Sequence, residues 1–441
     1  MHRSFRRGRK DLGLVELIAI ALGGMVGGGI FSILGISVEQ VGNSTPIAIL
    51  IGGVLALCAA YSYVKLALLY KDEGATYSFF KRSFPDLHFA ASAIGWLVIF
   101  GYISTLALYA FTFSSYLCGQ FPDRNSSVVQ KIVAGGVILL FSIINVVSVR
   151  GMGRAEDWMV YLKMVLIISI SAVLALKGDA AQLLPLTGSG TTWEGILVVA
   201  AITFVAYEGF QLVIHAYNEM DDPQKNIPKA IYSSVGIATL LYVMLAIGAL
   251  AAIPKETMIA DKEYALAAGA ELYLGRAGAF LVVTGALLAT SSAINGTLFG
   301  ASRLMAVVAE DGYLPAPLTR RVNGHVPARA ILTMAGLSFL LILSGGLQLI
   351  LEFGSITFII VSFFMARANY KVRRKTNTRA FIALFAMLAL MLACVAVLWF
   401  EYQENRPQLI AILGIYSVLF IGSYGYSGVR ARAPGPRDPH T

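Results

Sequence analysis

The 441-residue chain is 57% hydrophobic and only 13% charged, against roughly 45–50% and about 25% in soluble globular proteins. So few charges cannot cover a water-soluble surface of this size, which excludes soluble enzymes, nucleic-acid-binding domains and disordered chains. The formal charge of +9 comes from short basic clusters between long apolar runs, a pattern that sets membrane topology and does not form a nucleic-acid-binding face.

The chain opens with a basic segment, residues 1–13, carrying Arg3, Arg6, Arg7, Arg9 and Lys10. The apolar run that follows is longer than the core of a cleavable signal and is read as a retained helix. A bilayer-crossing helix needs about 20 mostly apolar residues. On that rule twelve spans are expected, over 14–35, 45–69, 88–118, 130–149, 158–176, 194–217, 230–253, 277–308, 328–344, 347–366, 380–400 and 408–428. β-barrel alternation is absent, so the class is an all-α polytopic membrane protein. Cys58, Cys118 and Cys394 lie in or beside apolar runs without C-x-x-C spacing or neighbouring histidines, so neither a disulfide framework nor a metal site is expected. With both termini placed inside, about 26 of the 34 Lys and Arg residues fall on the cytoplasmic side and about seven outside. That asymmetry predicts the orientation and a plasma (inner) membrane protein with a cytoplasmic tail over 429–441.

Two spans carry a matching defect. In the first, Gly23-Gly24-Met25-Val26-Gly27-Gly28-Gly29 places five glycines in seven residues, each costing about 1 kcal/mol relative to Ala in a helix interior. In the sixth, Ala206-Tyr207-Glu208-Gly209-Phe210 sets an acid beside a glycine in an apolar helix. These spans would be the first helices of two five-helix repeats, 14–176 and 194–366, with 380–428 forming two peripheral helices. An odd number of helices per repeat forces opposite orientations, and paired interruptions in inverted halves are the pattern of secondary transporters. The competing reading is close helix packing at small residues. If the helices break, the second half of span one begins near Gly28 and offers free N–H groups to a carboxylate. The first half of span six ends near Val205 to Glu208 and offers carbonyls to an ammonium group. An α-amino acid carries both.

Five stretches resemble the amino acid, polyamine and organocation superfamily, in the same order. They are Gly27-Gly28-Gly29-Ile30-Phe31, Glu73 to Tyr77, Tyr207 to Gln211, Glu219 to Pro228 and Arg303 to Pro315. The resemblance implies a LeuT-like fold of ten core helices in two inverted repeats plus two peripheral ones. It implies substrate carboxylate on the backbone of Gly27, Gly28 and Gly29, and amine on carbonyls near Met25, Val205 and Glu208. Many relatives have a neutral residue in place of Glu208, which leaves the charge of the substrate open.

Lys163 lies about six residues into span five, where an unpaired charge is costly. From depth alone it could snorkel to the interface. In some proton-coupled relatives a lysine in the matching Val-x-x-Lys stretch stands where sodium-coupled members bind an ion. The resemblance implies that Lys163 contacts the carbonyl of Gly23 and the hydroxyl of Ser291 or Ser292, with a proton as coupling ion and no other cofactor. Glu208 could steer a cationic substrate, accept a second proton or bond loose backbone; Tyr207 and Phe210 could cover substrate or simply pack. His215 reads as interfacial. Arg303 and Asp311 are expected to secure a cytoplasmic loop, and Glu16 and Glu352 to need no special role.

The expected function is therefore proton-coupled amino-acid symport, with exchange as the alternative, by a monomer or weak homo-oligomer. A membrane enzyme would need a catalytic constellation, and no H-E-x-x-H, G-x-S-x-G or aspartate dyad is present. A sensor would need an added cytoplasmic domain, and a channel a repeated pore motif; neither is expected.

Overall fold

Apolar runs bounded by glycine, proline and short polar turns form helices throughout a computed structural model that describes residues 12–121, 126–147, 152–187, 191–261, 264–322 and 326–432. The arginines and lysine from Arg3 to Lys10, Arg150 and the end of the tail beyond 432 lie outside the described residues. Chain order is α1 (Leu14–Met25), α2 (Gly28–Val41), α3 (Thr45–Tyr70), α4 (Ala75–Ser83), α5 (His88–Cys118), α6 (Ser127–Val147), α7 (Met152–Lys177) and α8 (Trp193–Ile202). A 3-10 turn over Thr203–Tyr207 follows, then α9 (Leu212–His215), α10 (Pro223–Ala252), α11 (Lys255–Ala260), α12 (Ala265–Glu310), α13 (Ala328–Ser344), α14 (Leu347–Lys371), α15 (Arg373–Thr376), α16 (Ala380–Glu404) and α17 (Arg406–Arg432).

Each expected span contains helix. Proline in the first turn, where its missing N–H costs nothing, opens α3 and α10. Span eight starts where expected: Gly275, at φ 65° and ψ −165°, breaks the helical run of α12, so a shorter helix from Ala265 precedes the long one that carries the span, and only glycine takes that conformation without strain. Ten stretches among the described residues are long and apolar enough to cross a membrane, one of them, 28–70, joining α2 and α3; Leu14–Met25 and Ala328–Ser344 are shorter apolar helices.

α5 forms the core and packs against α12, α14, α6, α17, α13 and α2; α10 lies between α3, α7 and α1. α16 rests on α14 and α8, and α17 on α5 and α16. Large apolar side chains such as Ile132 and Ile143 of α6, Leu176 of α7, Phe381 of α16 and Ile421 of α17 are exposed, as suits helices facing hydrocarbon instead of water.

Candidate functional site

α1 stops at Met25, and α2 starts at Gly28 after Val26 (φ −83°, ψ 72°) and Gly27 (φ −112°, ψ −147°). The last four carbonyls of a helix have no partner within it, and here each finds one elsewhere. Leu22 O accepts from Val26 N at 2.9 Å, Gly23 O from Lys163 Nζ at 2.8 Å, Gly24 O from Tyr109 Oη at 3.0 Å and Met25 O from Tyr242 Oη at 2.8 Å. The N-terminus of α2 differs, because its cap residue Gly27 has no side chain with which to close the first-turn N–H groups.

The second break falls in span six. The α-helix ends at Ile202, somewhat before the expected Val205, and the chain tightens into the 3-10 turn before Glu208 (ψ 132°) and Gly209 (φ 132°). Thr203 Oγ1 donates to Ala200 O at 2.9 Å, Ser355 Oγ of α14 to Ile202 O at 2.6 Å, and Glu208 N to Val205 O at 3.2 Å. The Tyr242 hydroxyl lies 2.9 Å from Ala206 O as well as 2.8 Å from Met25 O, so one side chain of α10 spans both breaks.

The breaks touch through backbone. A Cβ on Gly209 would sit 2.6 Å from Gly24 C and Met25 N, and one on Gly29 would sit 3.1 Å from Ala206 Cβ. Gly27 abuts the ring of Tyr109, and Gly28 abuts Thr112 and Thr290. At Gly209 nothing larger leaves room for the backbone of Gly24 and Met25.

Lys163 is 0% exposed, so it does not snorkel. Its bond to Gly23 O joins α7 to the last turn of α1. Ser292 is buried with its hydroxyl unpartnered among the described residues; Ser291 is half-buried. The structure therefore brings Lys163 to the expected carbonyl, without a hydrogen bond to either serine.

Glu208 is buried and accepts from Gln211 Nε2 at 2.6 Å. Gln211 also donates to Tyr102 Oη at 3.0 Å and accepts from Gly209 N at 3.1 Å. The loose backbone is thus bonded by Gln211, while Glu208 Oε1 remains buried without a partner among the described residues. Tyr63, Tyr102 and Tyr109 lie within electrostatic reach of it. Tyr207 donates to Ile49 O of α3 at 2.8 Å, and Phe210 packs edge-on against Tyr63. Sequence reasoning missed Tyr109, Tyr242 and Gln211. A tyrosine or glutamine in an apolar helix was the available signal, but it does not reveal which carbonyl the side chain meets.

At the α4 end, side-chain contacts join α4 to α12 and to the segment after the second break. Asp311 accepts from Lys81 Nζ at 2.5 Å and Tyr77 Oη at 2.7 Å, as a loop-securing role requires. Arg303 instead stays on its own helix, stacked on Phe299 and donating to its carbonyl. His215 pairs with Glu73 O at 2.7 Å, and Asn218 with Glu73 Oε1 at 2.5 Å. Leu12 pairs with Glu219 and Asp221. Glu352 departs from its expected bland setting: it is fully buried, since α16 and α17 cover the end of α14.

The sequence family described as amino acid permease matches residues 12–423. The chain is 29% identical to the inner membrane transport protein YbaT of Escherichia coli over 94% of this chain and 96% of that one. It is 28% identical to an uncharacterised protein of Methanocaldococcus jannaschii over 96% and 97%. It is 30% identical to the large neutral amino acids transporter small subunit 2 of Rattus norvegicus, over 74% of this chain and 62% of that one. The solved Eremococcus coleocola manganese transporter shares the fold, with a TM-score of 0.61 at 11% identity, over 95% of this chain and 94% of that one. A match running from the first described helix into the last, through both breaks, makes this chain a member of the amino acid permease family, a multi-pass membrane transporter of amino acids and not an enzyme.

Proposed function

We propose that the protein is a proton-coupled amino-acid symporter of the plasma (inner) membrane, with both termini cytoplasmic. The observation that carries the coupling is the fully buried Lys163 ammonium on Gly23 O, 2.8 Å away and one turn before the break. A proton on Lys163 fills the place of a bound cation and holds α7 to α1. Its loss removes the donor and frees α1 to move, with Ser291 and Ser292 available to the ammonium in another conformation. The substrate carboxylate sits on the uncapped N–H groups of Gly28 and Gly29, where the dipole of α2 favours an anion. The ammonium group faces the unpartnered Glu208 Oε1, with the carbonyls of Met25 and Val205 beside it.

Two inverted repeats, 14–176 and 194–366, support alternating access. The contact of α1 with α10 has its counterpart in α8 with α3, α7 with α12 in α14 with α5, and α6 with α12 in α13 with α5; α5 with α12 and α3 with α10 are their own counterparts. Twelve membrane crossings follow when α1 and α2 are counted as one broken span. Both halves of the site lie in one chain, so a monomer or weak homo-oligomer suffices.

The test is uptake of radiolabelled amino acids by purified protein in liposomes, with and without an inward proton gradient, and with sodium replaced by choline. Gradient-driven accumulation in empty liposomes, indifferent to sodium, is expected. Uptake only into liposomes preloaded with amino acid would establish exchange instead.

A further inference from the structure

Away from the breaks, two carboxyl side chains lie buried against each other where α14, α16 and α17 meet. Glu352 of α14 and Glu401 of α16 are each 0% exposed. Both oxygens of Glu352 accept amide hydrogens, from Gln348 Nε2 at 2.8 Å and from Gln408 Nε2 of α17 at 2.5 Å. Glu401 lies within interaction range of the Glu352 carboxyl, yet neither of its oxygens has a donor among the described residues.

No described cation balances them. Among the described residues, the hydrogen-bond donors on Glu352 are Gln348 and Gln408, and Glu401 has none. Arg406, at the start of α17, turns away to Tyr402 O and its ring, and Glu404 and Glu194 are exposed. Lys65 of α3, Lys81 and Arg82 of α4, His88 of α5 and Arg329 of α13 belong to the opposite ends of their bundles, the end where Arg82 and Tyr70 meet Lys371 to Lys375.

Two adjacent carboxylates in an apolar setting repel each other, and each lacks the water that would offset its charge. One positive charge between them removes both costs. A proton fits the hydrogen-bond inventory: Glu352 is held as an acceptor by two amides, and a protonated Glu401 supplies the O–H donor that the pair lacks. We propose that Glu352 and Glu401 together bind one proton, carried on Glu401 and donated to Glu352, at a site separate from Lys163 and Glu208.

The position links this proton to the second break. Two and three residues beyond Glu352, Gly354 packs near Val205 and Ser355 caps Ile202 O, while Ser104 of α5 donates to Ile350 O at 2.6 Å. Loss of the proton would set two like charges between α14 and α16 beside the helix end that the break creates. The site is independent of whether the protein works by symport or exchange.

Infrared difference spectroscopy of the purified full chain at neutral pH tests the proposal. Wild type should show the carbonyl stretch of a hydrogen-bonded protonated carboxyl, sensitive to deuterium and retained in Glu208→Gln. Glu401→Gln should remove it. Glu352→Gln, which alters only the acceptor, should move the band without removing it, and this keeps the proposal testable if Glu401→Gln fails to fold. A wild type without the band, a band unchanged in both variants, or a band abolished by adding sodium in place of choline would overturn it, the last by identifying a metal cation as the occupant.

Discussion

Replacing Lys163 separates a coupling group from a packing group. Lys163→Met keeps an unbranched apolar stem and removes the ammonium. Gly23 O, in the last turn of α1, then loses its 2.8 Å donor in a site where Lys163 is 0% exposed. An unmade bond to a buried carbonyl costs about 1–3 kcal/mol, which is roughly a 5- to 150-fold shift toward conformations in which α1 and α7 have separated. Lys163→Arg retains charge at every physiological pH but must fit a longer planar group beside Val160, whose Cγ2 already lies 3.2 Å from where a Cβ on Gly23 would be. The assay is proton-driven uptake in liposomes across a pH series. Both variants should lose concentrative uptake, and the Met variant should retain substrate binding or exchange with a weaker dependence on pH. Accumulation by Lys163→Arg equal to wild type would refute the reasoning and move the proton carrier to Glu208.

Three further outcomes are expected. Gly28→Val places a Cβ 2.8 Å from Thr112 Oγ1, an overlap of about 1–3 kcal/mol; it should abolish amino-acid binding by calorimetry while the protein remains monodisperse. Tyr242→Phe removes the single hydroxyl shared by Met25 O and Ala206 O and should lower thermal stability by about 1–2 kcal/mol, raising KM more than Tyr207→Phe does. Asp311→Asn weakens a half-exposed ion pair to Lys81, worth about 1 kcal/mol or less; hydrogen exchange over α4, residues 75–83, should quicken several-fold, and unchanged protection would show that the contact holds nothing closed.

The helices and both interruptions were legible from the chain because their causes are local. Twenty apolar residues make a span wherever they occur, and five glycines in seven residues weaken a helix whatever surrounds it. Gly27 and Gly28 accordingly mark the start of α2, and Glu208 and Gly209 the irregular backbone of the second break. The approach of Lys163 to Gly23 was legible too, because a buried ammonium needs an acceptor and the resemblance supplied one. Span eight was legible at its start too, since Glu271 and Arg276 interrupt the apolar pattern where Gly275 breaks the helix.

Contacts between side chains and distant backbone depend on the rotation of each helix about its own axis, and that is decided only when all the helices pack together. Tyr242 meets Met25 across 217 positions, yet in sequence it is one more aromatic residue in an apolar run. Glu208 and Gln211 are three positions apart in sequence, but the turn at Gly209 is what lets the glutamine bond both the acid and the loose backbone. Glu352 lies near the end of its span and looked interfacial. Tertiary packing buried it, because α16 and α17 fold back over that end and bring Glu401 and Gln408 to the same point.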